Sequence, residues 1–175
     1  MAKMETYTIP YVGLKKGKHT FQYRLNGEFF KKDEHALVQD ADIEAVVVFD
    51  KSIRPYTLDF EFSGTLKTEC DRCASEIDLP IQSNYKVYVK FDQDADEIDD
   101  EDLEIMFVRP DEPELDIQVY LYDFALLSLP YYKECKDAGK TCNPEVIKYL
   151  ENNNENNKPK QDTDPRWEDL KKLNI

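Results

Sequence analysis

Cysteines 70, 73, 135 and 142 are the only four in this chain of 175 residues, and they fall as two close pairs, C-x2-C and C-x6-C, separated by a long spacer. A fold that uses both pairs in one site must bring two distant segments together. Four thiolates so spaced suit tetrahedral zinc, which has no redox chemistry and holds sulfur at about 2.3 Å. The expected role is structural. The gap between Cys135 and Cys142 is longer than is usual for paired ligands, so Gly139 is expected to supply the turn that brings both sulfurs around.

Three other uses of the thiols compete with zinc. Four buried, unmetallated cysteines are one. A thioredoxin-like dithiol is another, but that motif belongs between a strand and a helix, whereas Cys70 and Cys73 lie between two strand patterns. Disulfides are the third and need an oxidising compartment. The opening Met-Ala-Lys-Met-Glu-Thr-Tyr lacks the apolar region of a secretory signal, so a reduced, cytoplasmic chain is expected.

Period-2 alternation flanks the first cysteine pair. Tyr56, Leu58, Phe60, Phe62 and Leu66 face one way, against Thr57, Asp59, Glu61, Ser63, Thr65 and Lys67. Ile77, Leu79, Ile81, Tyr85, Val87, Val89 and Phe91 repeat the pattern, which predicts two long half-buried strands joined by Cys70-Asp-Arg-Cys73. Shorter strands are predicted over Phe21–Leu25 and Ile43–Phe49. One polar face implies antiparallel, not parallel, pairing. After Pro113 the period changes: Asp116 can cap a helix bearing Ile117, Tyr120, Leu121, Phe124 and Leu127, which Pro130 ends. Asn143-Pro144-Glu145 starts a second helix carrying Ile147 and Leu150. The fold class is therefore α+β: an antiparallel β-sheet or a partly closed β-barrel, covered by a few helices, with a four-cysteine zinc knuckle. Residues 1–150 read as a single β-rich domain, 151–163 as a flexible Asn-rich linker, and 164–175 as a short helix with Trp167, Leu170 and Leu173.

Charge narrows the partners. The chain carries a net charge of -14, so the molecule as a whole does not attract phosphates. Residues 1–35 are the exception, with seven basic side chains against four acidic ones, and nine acidic residues lie between Asp92 and Glu104. That acidic run reads as a solvated loop, or as a contact for a basic partner such as a ribosomal protein. No stretch approaches the roughly 20 apolar residues of a membrane helix. The two histidines, His19 and His35, have polar neighbours, and neither a nucleophile motif nor a Gly-rich phosphate loop is present. The acidic run lacks the fixed geometry of a two-metal hydrolase site. No enzyme and no small-molecule substrate are expected.

The strand ending in Cys70-Asp71-Arg72-Cys73, the helix running into Ala125-Leu126-Leu127-Ser128-Leu129-Pro130, the cysteine-bearing loop after it and the closing Asp164-Pro165-Arg166 with spaced leucines resemble the bacterial YceD-type large ribosomal RNA subunit accumulation proteins. The resemblance covers most of the chain in order, and the N-terminal third only in general character. It implies a non-enzymatic role in the synthesis, processing or stability of large-subunit ribosomal RNA, with the large-subunit precursor, RNA or a ribosomal protein as partner. It also implies a β-rich fold with a possible metal site, and carries over Cys70, Cys73 and Cys142. If RNA is touched directly, Lys15, Lys16, Lys18, Arg24, Lys31 and Lys32 are the candidate phosphate contacts, with Tyr11, Phe21 and Tyr23 as stacking faces. The alternative is a zinc-stapled adaptor that binds a basic protein through its acidic loop.

Overall fold

The computed structural model describes residues 6–31, 38, 40–93, 95 and 104–156. The alternating segments form a five-stranded sheet of β2 (Lys18–Asn26), β3 (Asp40–Asp50), β4 (Tyr56–Glu69), β5 (Glu76–Phe91) and β6 (Ile105–Val108), in that spatial order. β2 to β5 pair antiparallel, each with its sequence neighbour. A separate two-stranded ribbon joins β1 (Thr8–Ile9) to β7 (Leu115–Asp116). The sheet is open, with β2 and β6 at its edges, so the barrel alternative is not realised.

The last strand departs from the expected topology. β6 runs parallel to β5. A parallel neighbour needs a crossover of about a dozen residues or more, and the acidic stretch from Asp92 to Glu104 is the segment that makes this connection. Composition marked that stretch as a loop without revealing that the strand after it runs parallel to β5. Most of it lies outside the described residues.

Alternation places Leu58, Phe60, Phe62 and Leu66 of β4 in the core with Ile43, Ala45, Val47 and Phe49 of β3 and Val87 and Val89 of β5. Burying each large side chain contributes about 1.5–3 kcal/mol. The cover is supplied by α1 (Gly27–Phe30) and α2 (Gln118–Leu127). Phe124 of α2 packs edge-on to Phe60 and stacks on Tyr85 with centroids 4.4 Å apart, while Phe29 and Phe30 of α1 meet Tyr122. β4 contains one obligatory glycine. Gly64 has φ +151°, and a Cβ there would lie 2.1 Å from the Asp42 carbonyl oxygen of β3. The bare backbone is what lets the two strands meet at that point.

Helix details differ from expectation at the ends. The Asp116 carboxylate accepts the Gln118 N–H at 2.9 Å, yet Asp116 itself belongs to β7 and Ile117 occupies the cap position. Ile117, Leu121 and Phe124 are buried as predicted; Leu127 is 55% exposed, on the side of the last turn away from Ala125 and Leu126, which pack on the core. α3 (Pro144–Asn156) starts where predicted, with the Asn143 side chain accepting the Glu145 N–H at 3.0 Å. It continues into the stretch that composition marked as linker, and Leu150 is exposed on it. The predicted C-terminal helix with Trp167 lies outside the described residues.

Candidate metal centre

The first cysteine pair sits at the tip of the β4–β5 hairpin. The Cys70 N–H donates to the Ser75 carbonyl at 2.9 Å and the Ala74 N–H donates to the Cys70 carbonyl at 2.8 Å. Ala74 adopts φ +54°. This closed turn puts both thiols on the side that faces the second pair.

That second segment is clamped to the turn by backbone and charge together. The Asp71 N–H donates to the Lys133 carbonyl at 2.8 Å, the Lys133 N–H returns a 2.7 Å bond to the Asp71 carboxylate, and the Lys133 ammonium lies 3.0 Å from it. These bonds to Lys133 hold the Asp71 carboxyl below its usual range. Cys135 then opens a short 3-10 turn (Cys135–Ala138) whose start is a reciprocal cap between Glu134 and Asp137. Gly139 ends it in the left-handed conformation, φ +65°, and the Lys140 N–H donates back to the Cys135 carbonyl at 2.8 Å. The expectation for Gly139 holds: this turn absorbs the long gap and returns Cys142 toward the hairpin, from where Asn143 launches α3.

The result is a compact thiol cluster. The ligand atoms of Cys70, Cys73, Cys135 and Cys142 all lie within 4.8 Å of one another. Cys70 Sγ is 3.9 Å from Cys142 Sγ, and Cys73 Sγ is 3.5 Å from Cys135 Sγ. Four sulfurs held about 2.3 Å from a tetrahedral centre stand about 3.8 Å apart, between these two values. The set therefore fits a zinc ion in donor type, number and spacing. All four are free thiols, three of them buried and Cys142 partly accessible. Ile77, Leu79, Leu129, Ala138 and Val146 of α3 pack around the site.

Electrostatics around the thiols are uneven. The Ser75 hydroxyl, helped by the backbone N–H groups of Asn143 and Ser75, lowers Cys73 to about 6. Burial pushes Cys135 up to about 12 and raises Cys142 as well. Cys73 ionises readily, whereas Cys135 and Cys142 resist negative charge unless a cation is at hand. A dithiol exchanger also needs its low-pKa sulfur within reach of a partner, and Cys73 is only 6% exposed between two antiparallel strands. Two acidic residues beside the knuckle are paired from afar: Lys133 with Asp71 at 3.0 Å and Lys140 with Asp78 at 2.9 Å. Sequence reasoning missed both lysines, since each lies 62 positions from its partner.

The candidate RNA contacts do not form one cluster. Lys15 and Lys16 are exposed ahead of β2, Lys18 and Arg24 stand on its outer face, and Lys31 follows α1. Six strand positions set Lys18 and Arg24 about 20 Å apart. Arg24 is occupied by Asp42 through two bonds of 3.0 and 3.1 Å, and Lys32 lies outside the described residues. Of the three candidate stacking aromatics, Tyr11 departs most from that role. Tyr11 is 7% exposed and donates its hydroxyl to the Glu112 carbonyl, while Phe21 and Tyr23 turn from Lys18 and Arg24 toward the core. Strand alternation puts rings and cations on opposite faces. Burial raises the Tyr23 hydroxyl to about 12.

The family model described as "Large ribosomal RNA subunit accumulation protein YceD" matches residues 58–174. The matched span holds all four cysteines and begins beyond every candidate RNA-contacting lysine and arginine. No curated protein and no solved structure matches the chain.

Proposed function

The chain belongs to the YceD family of large ribosomal RNA subunit accumulation proteins, and from that membership we propose that it is a non-enzymatic, cytoplasmic factor supporting the synthesis, processing or stability of large-subunit ribosomal RNA. It acts by binding RNA or a ribosomal protein on the large-subunit precursor. Cys70, Cys73, Cys135 and Cys142 hold a structural zinc that staples the β4–β5 hairpin to the start of α3. The family match over residues 58–174 carries the reading, and the thiol spacing of 3.5 and 3.9 Å supports the metal. If RNA is the contact, the cations facing it are Lys15, Lys16 and Lys18, with Arg24 released from Asp42.

Gradient sedimentation of cell extract at low and moderate salt tests this. Co-migration with free large subunits or their precursors, with crosslinks to their RNA or proteins, is expected. Recovery only at the top of the gradient in both salts rejects the assembly role and leaves an adaptor for a basic protein. Charge reversal of Lys15, Lys16 and Lys18 together separates the two contacts: loss of co-migration assigns RNA, and retention assigns a ribosomal protein.

A further inference from the structure

The four thiols are not equivalent, and their differences define an order of reaction. Cys70, Cys73 and Cys135 are 1 to 6% exposed, whereas Cys142 is only partly buried. An oxidant arriving from solvent therefore meets Cys142 first. Within a cluster whose sulfurs all lie within 4.8 Å of one another, Cys142 stands 3.9 Å from Cys70 and Cys73 stands 3.5 Å from Cys135. Each of these pairs joins the hairpin tip to the second segment, so a bond within either one preserves the staple. A disulfide needs its sulfurs about 2.05 Å apart, and the gap closes by side-chain rotation where the backbone permits. Cys142 sits between the Gly139 turn and the Asn143 cap, outside both regular elements.

We propose that the cluster is a peroxide-sensitive modification site, attacked at Cys142 and resolved by Cys70, so that oxidation replaces the metal staple by a Cys70–Cys142 disulfide. The inference rests on the zinc reading above. In the first step the Cys142 sulfur, which a bound zinc would hold as thiolate, attacks one oxygen of hydrogen peroxide: an S–O bond forms, the O–O bond breaks, and hydroxide leaves. The Cys70 thiolate then attacks the Cys142 sulfenic sulfur, forming the S–S bond and expelling the second oxygen as hydroxide. Two protons from solvent convert both hydroxides to water. The two thiolates supply the two electrons that peroxide takes up. Any cation then keeps only Cys73 and Cys135, half its ligand set, and a tetrahedral zinc site does not persist on two thiolates. An external thiol reverses the change by exchange at the more accessible Cys142 sulfur.

The consequence lies in α3. Cys142 immediately precedes the Asn143 cap, and Val146 of that helix packs on the thiol cluster. Drawing Cys142 toward Cys70 shifts the start of α3 while the β4–β5 hairpin stays in the sheet. Oxidation thus repositions the C-terminal part of the chain without unfolding the core.

The test uses the full chain purified under reducing conditions with its metal content measured. Stoichiometric hydrogen peroxide is added, zinc release is followed with a chromogenic indicator, and disulfides are mapped by mass spectrometry of non-reduced peptides. The expected result is one zinc released per Cys70–Cys142 bond, with recovery on adding dithiothreitol and zinc. A brief N-ethylmaleimide pulse on the same protein should label Cys142 about tenfold faster than the three buried thiols. A first-formed Cys73–Cys135 bond, equal labelling of all four, or zinc retained at full oxidation overturns the inference. A protein that never holds zinc but still forms the Cys70–Cys142 bond first overturns the metal reading and leaves the thiol order standing. Because the wild-type chain is used throughout, no variant's failure to fold can obscure the result.

Discussion

Removing the metal should cost stability by an amount the topology sets. Cys73 and Cys135 are 62 positions apart and meet only at the cluster. A cross-link closing a loop of that size removes roughly 4 kcal/mol of chain entropy from the unfolded state, on the scale used for disulfides. Structural zinc in small finger peptides contributes on the order of 10 kcal/mol, but there the whole fold depends on it. Here the main core, from Ile9 to Ala125, is an apolar cluster that does not include the cysteines, so the lower figure applies. For a domain of this size each kcal/mol moves Tm by about 2–4 °C, giving a fall of about 8–16 °C. Calorimetry of the full chain with and without a chelator, beside metal analysis, measures it. Cys135→Ser should bind less than one zinc, melt at the chelated temperature, and shift no further when chelator is added. A wild-type melt unmoved by chelation, from protein shown to hold one zinc beforehand, would refute the stapling argument.

Three further outcomes follow from the same structure. Gly64→Ala should destabilise by about 3 kcal/mol in denaturant melts, combining a strained positive φ with displacement of the β3 backbone; Gly13→Ala, where an added Cβ meets nothing within 4 Å, should change stability by less than about 1 kcal/mol. Phe60→Ala removes a fully buried ring that packs on Tyr120 and Phe124 and should cost about 3–5 kcal/mol in the same assay. Asp71 is held below its usual range by Lys133, so the clamp's contribution is complete above the ordinary carboxylate pKa and fades as pH falls through the lowered folded value. Stability of Asp71→Asn should therefore converge on wild type in acid, and parallel pH curves for the two proteins would exclude the clamp.

Much of the site was legible because its parts are local. Alternation in 56–67 and 77–91 marked the two strands, the C-x2-C placed a thiol pair at their turn, and Gly139 and Asn143-Pro144 announced the 3-10 turn's exit and the start of α3. Each of these is a property of neighbouring residues: side-chain period, positive φ, or a cap. The longer contacts were not legible in the same way. Nothing near Asp71 or Asp78 indicates Lys133 or Lys140, and nothing in the acidic run indicates that the strand after it pairs parallel with β5.

By itself, then, the chain's order of residues determined the half-buried strands, the amphipathic cover and the pairing of cysteines into two thiol-bearing turns. Only the tertiary structure decided which pairs of thiols face each other, which cysteine meets solvent, and which aromatics near the basic segment are buried. Periodicity and caps act over a few residues and are written in them, whereas loop closure and packing select among many distant partners at once. Tyr11 shows the difference most plainly: beside the basic segment it reads as a stacking face, and the fold turns it inward to bond Glu112, 101 positions away.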